Sequence, residues 1–236
     1  MIKDMAEGSL VYTTKKKCPV CDGEVRVHKL RSKIPMEKTD VDMCVHYAGV
    51  NAYAYRIWIC EHCGYAEDEA HFTNGISERA KEKIRAFLNG RKIGLQFHEE
   101  RTLDDGIAAL KLAIYYAKLT GEETQAHLAG LNVNLAWIFR EKGDSENEAA
   151  FLRAAAELYE KSLMTENWPQ GSMTDTTCSY MISAIYYELQ EYDHAAKFLS
   201  PIIQDKSLET KEPQIYKKAK ELWTDLRDAM KAKEKA

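Results

Sequence analysis

The chain has 236 residues, 45% of them apolar, with a net charge of −4 and a mean hydropathy of −0.48. That length holds one large or two modest domains with a real core. Its longest apolar runs, such as Leu135 to Phe139, fall far short of the ~20 residues a membrane helix needs, and the acidic balance offers nucleic acid no overall attraction.

The opening Met1-Ile2-Lys3-Asp4-Met5-Ala6-Glu7 has no apolar signal core, so secretion is not expected and the six cysteines do not read as a disulfide framework. A cytoplasmic protein without a membrane span is expected. Residues 13 to 38 are basic, and Lys15, Lys16, Lys17, Arg26, Lys29, Arg31 and Lys33 form a candidate phosphate-binding strip. Against it, acidic and basic side chains nearly cancel over residues 1 to 75, and Glu67-Asp68-Glu69 would repel a phosphate backbone.

Inside that strip lies Cys18-Pro19-Val20-Cys21, and Cys60-Glu61-His62-Cys63 follows before Gly64-Tyr65. Two cysteines three apart on a tight turn point at one centre, so the two pairs predict a structural Zn²⁺, one per chain, on Cys18, Cys21, Cys60 and Cys63. Pro19 and Gly64 suit the turns, glycine by accepting a positive φ. Between the pairs, Val25 to His28 alternates and Ala54 to Ile59 is β-branched and aromatic, so both read as strand, while residues 31 to 47 read as a long loop. Cys44 in Asp42-Met43-Cys44-Val45-His46-Tyr47 could join His46, and with them His62 and His71, in a second, looser metal site. The plainer reading is a buried thiol beside histidines that pack.

After Thr73-Asn74-Gly75 the apolar period changes from two to about 3.6. A helix is expected near 77 to 89, ending at Asn89-Gly90. Thr102 and Asp105 resemble a capping box opening the Ile107, Leu110, Ile114, Ala117 stripe, which ends at Thr120-Gly121. Further helices are expected from Leu128 to Phe139, near 146 to 165, 176 to 189 and 193 to 206, and over Ile215 to Met230. The whole predicts a mostly α chain, with a zinc-ribbon domain over 1–75 and a helical domain over 76–236 that folds without it.

Two helix pairs carry tetratricopeptide spacing, with small residues at the crossing and large ones around it. In one, Ile182-Ser183, Tyr186, Tyr192-Asp193, Ala195, Leu199 and Ile202 take those positions. In the other they are Leu135-Ala136, Phe139, Gly143-Asp144, Ala149 and Ala156. In that register Asn134, Trp137, Arg140 and Glu141, and then Tyr180, Tyr187 and Glu188, turn away from the crossings and line a candidate groove for a protein or peptide.

The motifs Cys18 to Cys21, Asp42 to Tyr47, Trp58-Ile59-Cys60-Glu61-His62-Cys63-Gly64-Tyr65-Ala66, Glu100-Arg101-Thr102, Leu135 to Arg140 and Glu212-Pro213-Gln214-Ile215 together resemble the bacterial family named domain of unknown function 2225. The resemblance implies a cytoplasmic bacterial protein with a zinc-ribbon head and a tetratricopeptide-like antiparallel helix-pair body, and implies no reaction. The reading is therefore a non-catalytic zinc-binding scaffold or adaptor, against two alternatives. One is a ribbon that binds nucleic acid. The other is an enzyme, whose best acid/base set is His98, Glu99, Glu100 and Arg101, in a chain without P-loop, GxGxxG, GxSxG or HExxH.

Overall fold

The alternation around the first cysteine pair becomes a hairpin. Strand β1 (Val11–Lys17) runs antiparallel to β2 (Glu24–Leu30), with Lys17 opposite Glu24 across the Cys18 to Gly23 turn. Val25 and Val27 are buried and Glu24 and Arg26 exposed, as a half-buried strand requires. The structure is a computed structural model and describes residues 10–89 and 100–233. The segment expected as a loop contains β3 (Met36–Thr39) and β4 (Val45–Tyr47), which pair with each other. A 3-10 turn (Ala52–Tyr55) then leads into β5 (Ile57–Ile59), antiparallel to β6 (Ala66–Asp68), with the second cysteine pair at their turn. Each cysteine pair thus sits at the tip of its own hairpin.

Helix α1 (Glu69–Asn74) begins at Asp68, whose carboxylate accepts the His71 N–H, and α2 (Glu78–Leu88) at Ser77, which accepts the Ala80 N–H. Caps of this kind contribute about 1 kcal/mol each. Helix α3 (Leu103–Thr120) opens with the capping box expected of Thr102 and Asp105 and stops at Gly121. Helices α4 (Gln125–Lys142), α5 (Ser145–Thr165), α6 (Asp175–Glu188), α7 (Tyr192–Gln204), the short α8 (Leu208–Lys211) and α9 (Pro213–Lys233) complete the chain. It is mostly helical, with small antiparallel hairpins towards its N-terminus. Among the described residues no helix is long and apolar enough to cross a membrane.

The chain forms two compact units, and they do not divide at residue 75. The first takes the described residues among 1–38, 46–123 and 131–148, the second those among 39–45, 124–130 and 149–236. In the first, β5, β6 and the 3-10 turn pack on α3. Two-stranded sheets are too small to bury their own apolar face, and α3 supplies the missing layer through Ile107, Leu110, Ala113 and Tyr116. Gly106 lets the 3-10 turn come close, for a Cβ there would lie 2.8 Å from the Ala54 Cα. Arg101 ties the same turn down, donating to the carbonyls of Ala54 and Ile57 at 2.8 Å each, with its guanidinium over the Tyr55 ring.

In the second unit α6, α7 and α9 pack on one another, and α8 on α9. The α6 and α7 pair buries the residues the repeat spacing singles out: Ile182, Ser183, Tyr186, Ala195, Leu199 and Ile202. Ser183 donates to the Ala195 carbonyl at 2.8 Å, a close helix crossing that only small side chains permit. The turn falls at Gln190, with φ 60°, so Tyr192 and Asp193 open α7 rather than forming the turn. Thr174 caps α6 and donates to Glu212, tying the start of α6 to the residue before α9.

Candidate metal centre

The four cysteine sulfurs of the two hairpin tips converge, all within 4.8 Å of one another. The Cys18 and Cys63 sulfurs are 3.7 Å apart, and those of Cys21 and Cys60 3.6 Å. A tetrahedral ion with metal–sulfur bonds of about 2.3 Å sets sulfur–sulfur edges of about 3.8 Å, so the residues fit a thiolate-bound metal. No cysteine in the described chain is disulfide-bonded.

The two tips repeat one backbone pattern. Cys18 N–H donates to the Gly23 carbonyl and Asp22 N–H to that of Cys18; Cys60 N–H donates to Tyr65 and Gly64 N–H to Cys60. Val20 N–H points at the Cys18 sulfur and Cys63 N–H at the Cys60 sulfur. Such N–H groups favour negative sulfur. The residue after each second cysteine is left-handed, Asp22 at φ 61° and Gly64 at φ 78°. Gly64 meets the expectation. In the first tip Asp22 takes the same left-handed position, a conformation Asp tolerates better than most residues.

Packed together, the thiols cannot all ionise without a cation. Hydrogen bonds from Cys18 and then Cys63 pull Cys60 down to about 2, whereas hydrogen bonding to Cys60 pushes Cys18 up to about 12, and bonding to Cys18 pushes Cys63 up as well. Cys18 and Cys60 are buried, Cys21 exposed and Cys63 half-buried, so the cluster has an inner and an outer pair.

Side chains far away in sequence hold the tips. His62 donates through Nε2 to the Glu24 carbonyl at 2.8 Å and fills the space above Gly23, where a Cβ would meet its ring at 2.7 Å. Arg85 of α2 donates twice to the Val20 carbonyl, at 3.0 and 2.6 Å. Tyr116 of α3 donates to the Gly64 carbonyl at 3.1 Å, and its ring stands against Tyr65. Burial raises the Tyr116 phenol above its usual value and keeps it a donor. None of these supports is visible in local spacing.

Residues 11–226 match the profile of a family described as an uncharacterized protein conserved in bacteria, domain of unknown function 2225. The chain belongs to this family. No curated protein and no solved structure matches it.

In this family member the other expected sites fare unevenly. Asp40, Cys44 and His46 each offer a ligand atom within 4.8 Å of the others, with Cys44 buried and the other two half-buried, while Cys178 is buried within α6. The basic strip is largely neutralised: Lys15 pairs with Glu24, Lys17 with Asp22, Arg26 with Glu61 and Lys29 with Glu69. Lys16 and Lys29 also lie near the Trp58 ring. A strip so paired is a poor phosphate track.

The groove residues of each unit make contacts within that unit, Tyr187 among them with its ring 5.9 Å from that of Tyr192. Trp137 lies against Tyr53 with ring centroids 4.8 Å apart and tilted at 53°, Glu141 accepts from Asn51, and Arg140 pairs with Glu148 at 2.6 Å. The residues around the 3-10 turn therefore cover this part of α4. Tyr180, expected to be exposed, is 2% exposed, and its hydroxyl donates to the Val41 carbonyl. Asn134 and Tyr187 are half-buried and Glu188 exposed. Of the acid/base candidates, Arg101 anchors the 3-10 turn, while His98 and Glu99 lie outside the described residues.

Proposed function

We propose that the chain is a non-catalytic zinc-binding scaffold or adaptor whose tetratricopeptide-like body binds a protein or peptide partner. The observation that carries this reading is the four-thiol cluster, because four protein ligands leave a tetrahedral ion no position for water or substrate. Four soft thiolates favour zinc over oxygen-seeking cations such as Mg²⁺ or Ca²⁺, and an iron centre would reveal itself by colour. The ion is structural, one per chain, and free thiols suit a reducing, cytoplasmic setting.

For the partner, the reading rests on Tyr187 and Glu188 of α6, half-buried and exposed respectively, and gives up the buried Tyr180 together with Trp137, Arg140 and Glu141. The small-residue crossing of α6 and α7 supports the repeat assignment. Metal analysis tests the first half: Cys21→Ser is expected to lose the ion and Cys178→Ser to keep it, and full zinc in the Cys21 variant would refute the site. For the second half, a Tyr187→Ala and Glu188→Ala double variant is expected to melt normally and recover fewer cellular partners. Unchanged recovery would count against the groove.

A further inference from the structure

We propose that Arg85 of α2 and Tyr116 of α3 hold the metal centre closed, so that retention of the ion depends on the seating of these two helices. The inference rests on the zinc reading above and assigns its gate. The carbonyl that Arg85 grips belongs to Val20, between the two ligands of the first tip, and the carbonyl that Tyr116 grips belongs to Gly64, directly after the last ligand. The Val20 carbonyl lies in the peptide that leads into Cys21, and Gly64 directly follows Cys63, so both grips bear on the backbone that carries these two ligands.

Those two cysteines are the outer pair of the cluster. An ion leaves a tetrahedral site by losing its accessible ligands first, while Cys18 and Cys60 stay fixed in the buried layer. The helices therefore grip the tips at the ligands whose opening would begin release. Arg85 also brings a positive charge to a centre that four thiolates and a divalent ion leave at −2. Ligand-orienting partners of this kind typically change metal affinity by about 10 to 100-fold when removed. By linkage the bound ion must stabilise the seating of α2 and α3 by the same factor.

The experiment uses the zinc-loaded full chain mixed with excess chromogenic chelator, with the release rate followed by absorbance. Arg85→Leu and Tyr116→Phe are each expected to release zinc about tenfold faster or more, at unchanged helical circular dichroism. Tyr116→Phe keeps the ring against Tyr65, so it tests the hydroxyl without opening the core. Arg85→Lys, which retains one donor and the charge, should recover part of the loss. Arg79→Leu, which removes a charge from an exposed position of the same helix, should release at the wild-type rate. A zinc-loaded wild type whose Tyr116→Phe and Arg85→Leu variants release at its own rate overturns this proposal alone. A wild-type chain that binds no zinc overturns the zinc reading and this proposal with it.

Discussion

Gly106 offers a test whose sign alone is informative. Replacing a glycine inside a helix by alanine normally stabilises, by up to about 1 kcal/mol, because the unfolded chain loses freedom. At Gly106 the added Cβ would lie 2.8 Å from the Ala54 Cα, 2.9 Å from its Cβ and 2.9 Å from Ile138 Cδ1. The Ala54 atoms cannot swing aside, since the 3-10 turn that carries them is fastened by Arg101. Overpacking a tight contact costs about 1 to 3 kcal/mol, and two backbone-borne clashes put this site at the upper end. The net expectation for Gly106→Ala is a loss of about 2 kcal/mol, or roughly 4 to 8 °C in melting temperature for a chain of this size. Gly130 of α4 is the control, for its Cβ would meet nothing nearer than the Tyr159 hydroxyl at 3.7 Å. Gly130→Ala should therefore raise the melting temperature by a few degrees, about what 1 kcal/mol gives. Thermal melts of the two variants beside wild type decide the matter. If Gly106→Ala melts higher than wild type, the ribbon is not seated on α3 as described.

A fragment beginning at residue 76 is expected to melt less cooperatively and to hold less helix than the same residues in the full chain, because it leaves α3 without the layer that covers Leu110 and Tyr116; full helix content and a melt as sharp as the full chain's by circular dichroism would restore the boundary that the helical periodicity suggests. Cys44→Ser should leave the zinc content at one per chain by elemental analysis, and a fall would make Cys44 a ligand. His71 stands between the carboxylates of Asp68, at 2.9 Å, and Glu123, at 3.1 Å, and bonding to Asp68 and then Glu123 pushes it up to about 10. Its folded value lies above the ordinary 6.5, so its contribution is complete below about pH 6.5 and fades as the pH rises towards 10. Denaturant melts should show His71→Gln approaching wild type across that window, and a constant gap between the two would contradict the assignment.

What could be read from the residues was whatever they decide locally. The cysteine pairs, the Thr102 and Asp105 box and the small residues at the α6 and α7 crossing each announce themselves within a few positions. Strand β3 is exposed along its whole length, so it carries no alternation and passed for loop. Helix α1 buries only Phe72, too little for a periodic stripe. The grip of Arg85 on Val20, of Tyr116 on Gly64 and of Tyr53 on Trp137 joins residues 52 to 84 positions apart. Such pairings are made by tertiary packing, and no window of sequence contains both partners. For the same reason the boundary at residue 75, a true change of period, did not mark a change of compact unit.

The first unit is assembled from pieces of chain that reach as far as residue 148. A ribosome adding about 5 to 20 residues per second completes Cys63 several seconds before the last of those pieces emerges. Early in that interval the four thiols are present without α2 and α3, which later frame them. If the four sulfurs take up an ion as proposed, newly made chain passes through a stage in which ion capture and oxidation compete for them, and the supply of free metal at the ribosome becomes part of how the native state is reached.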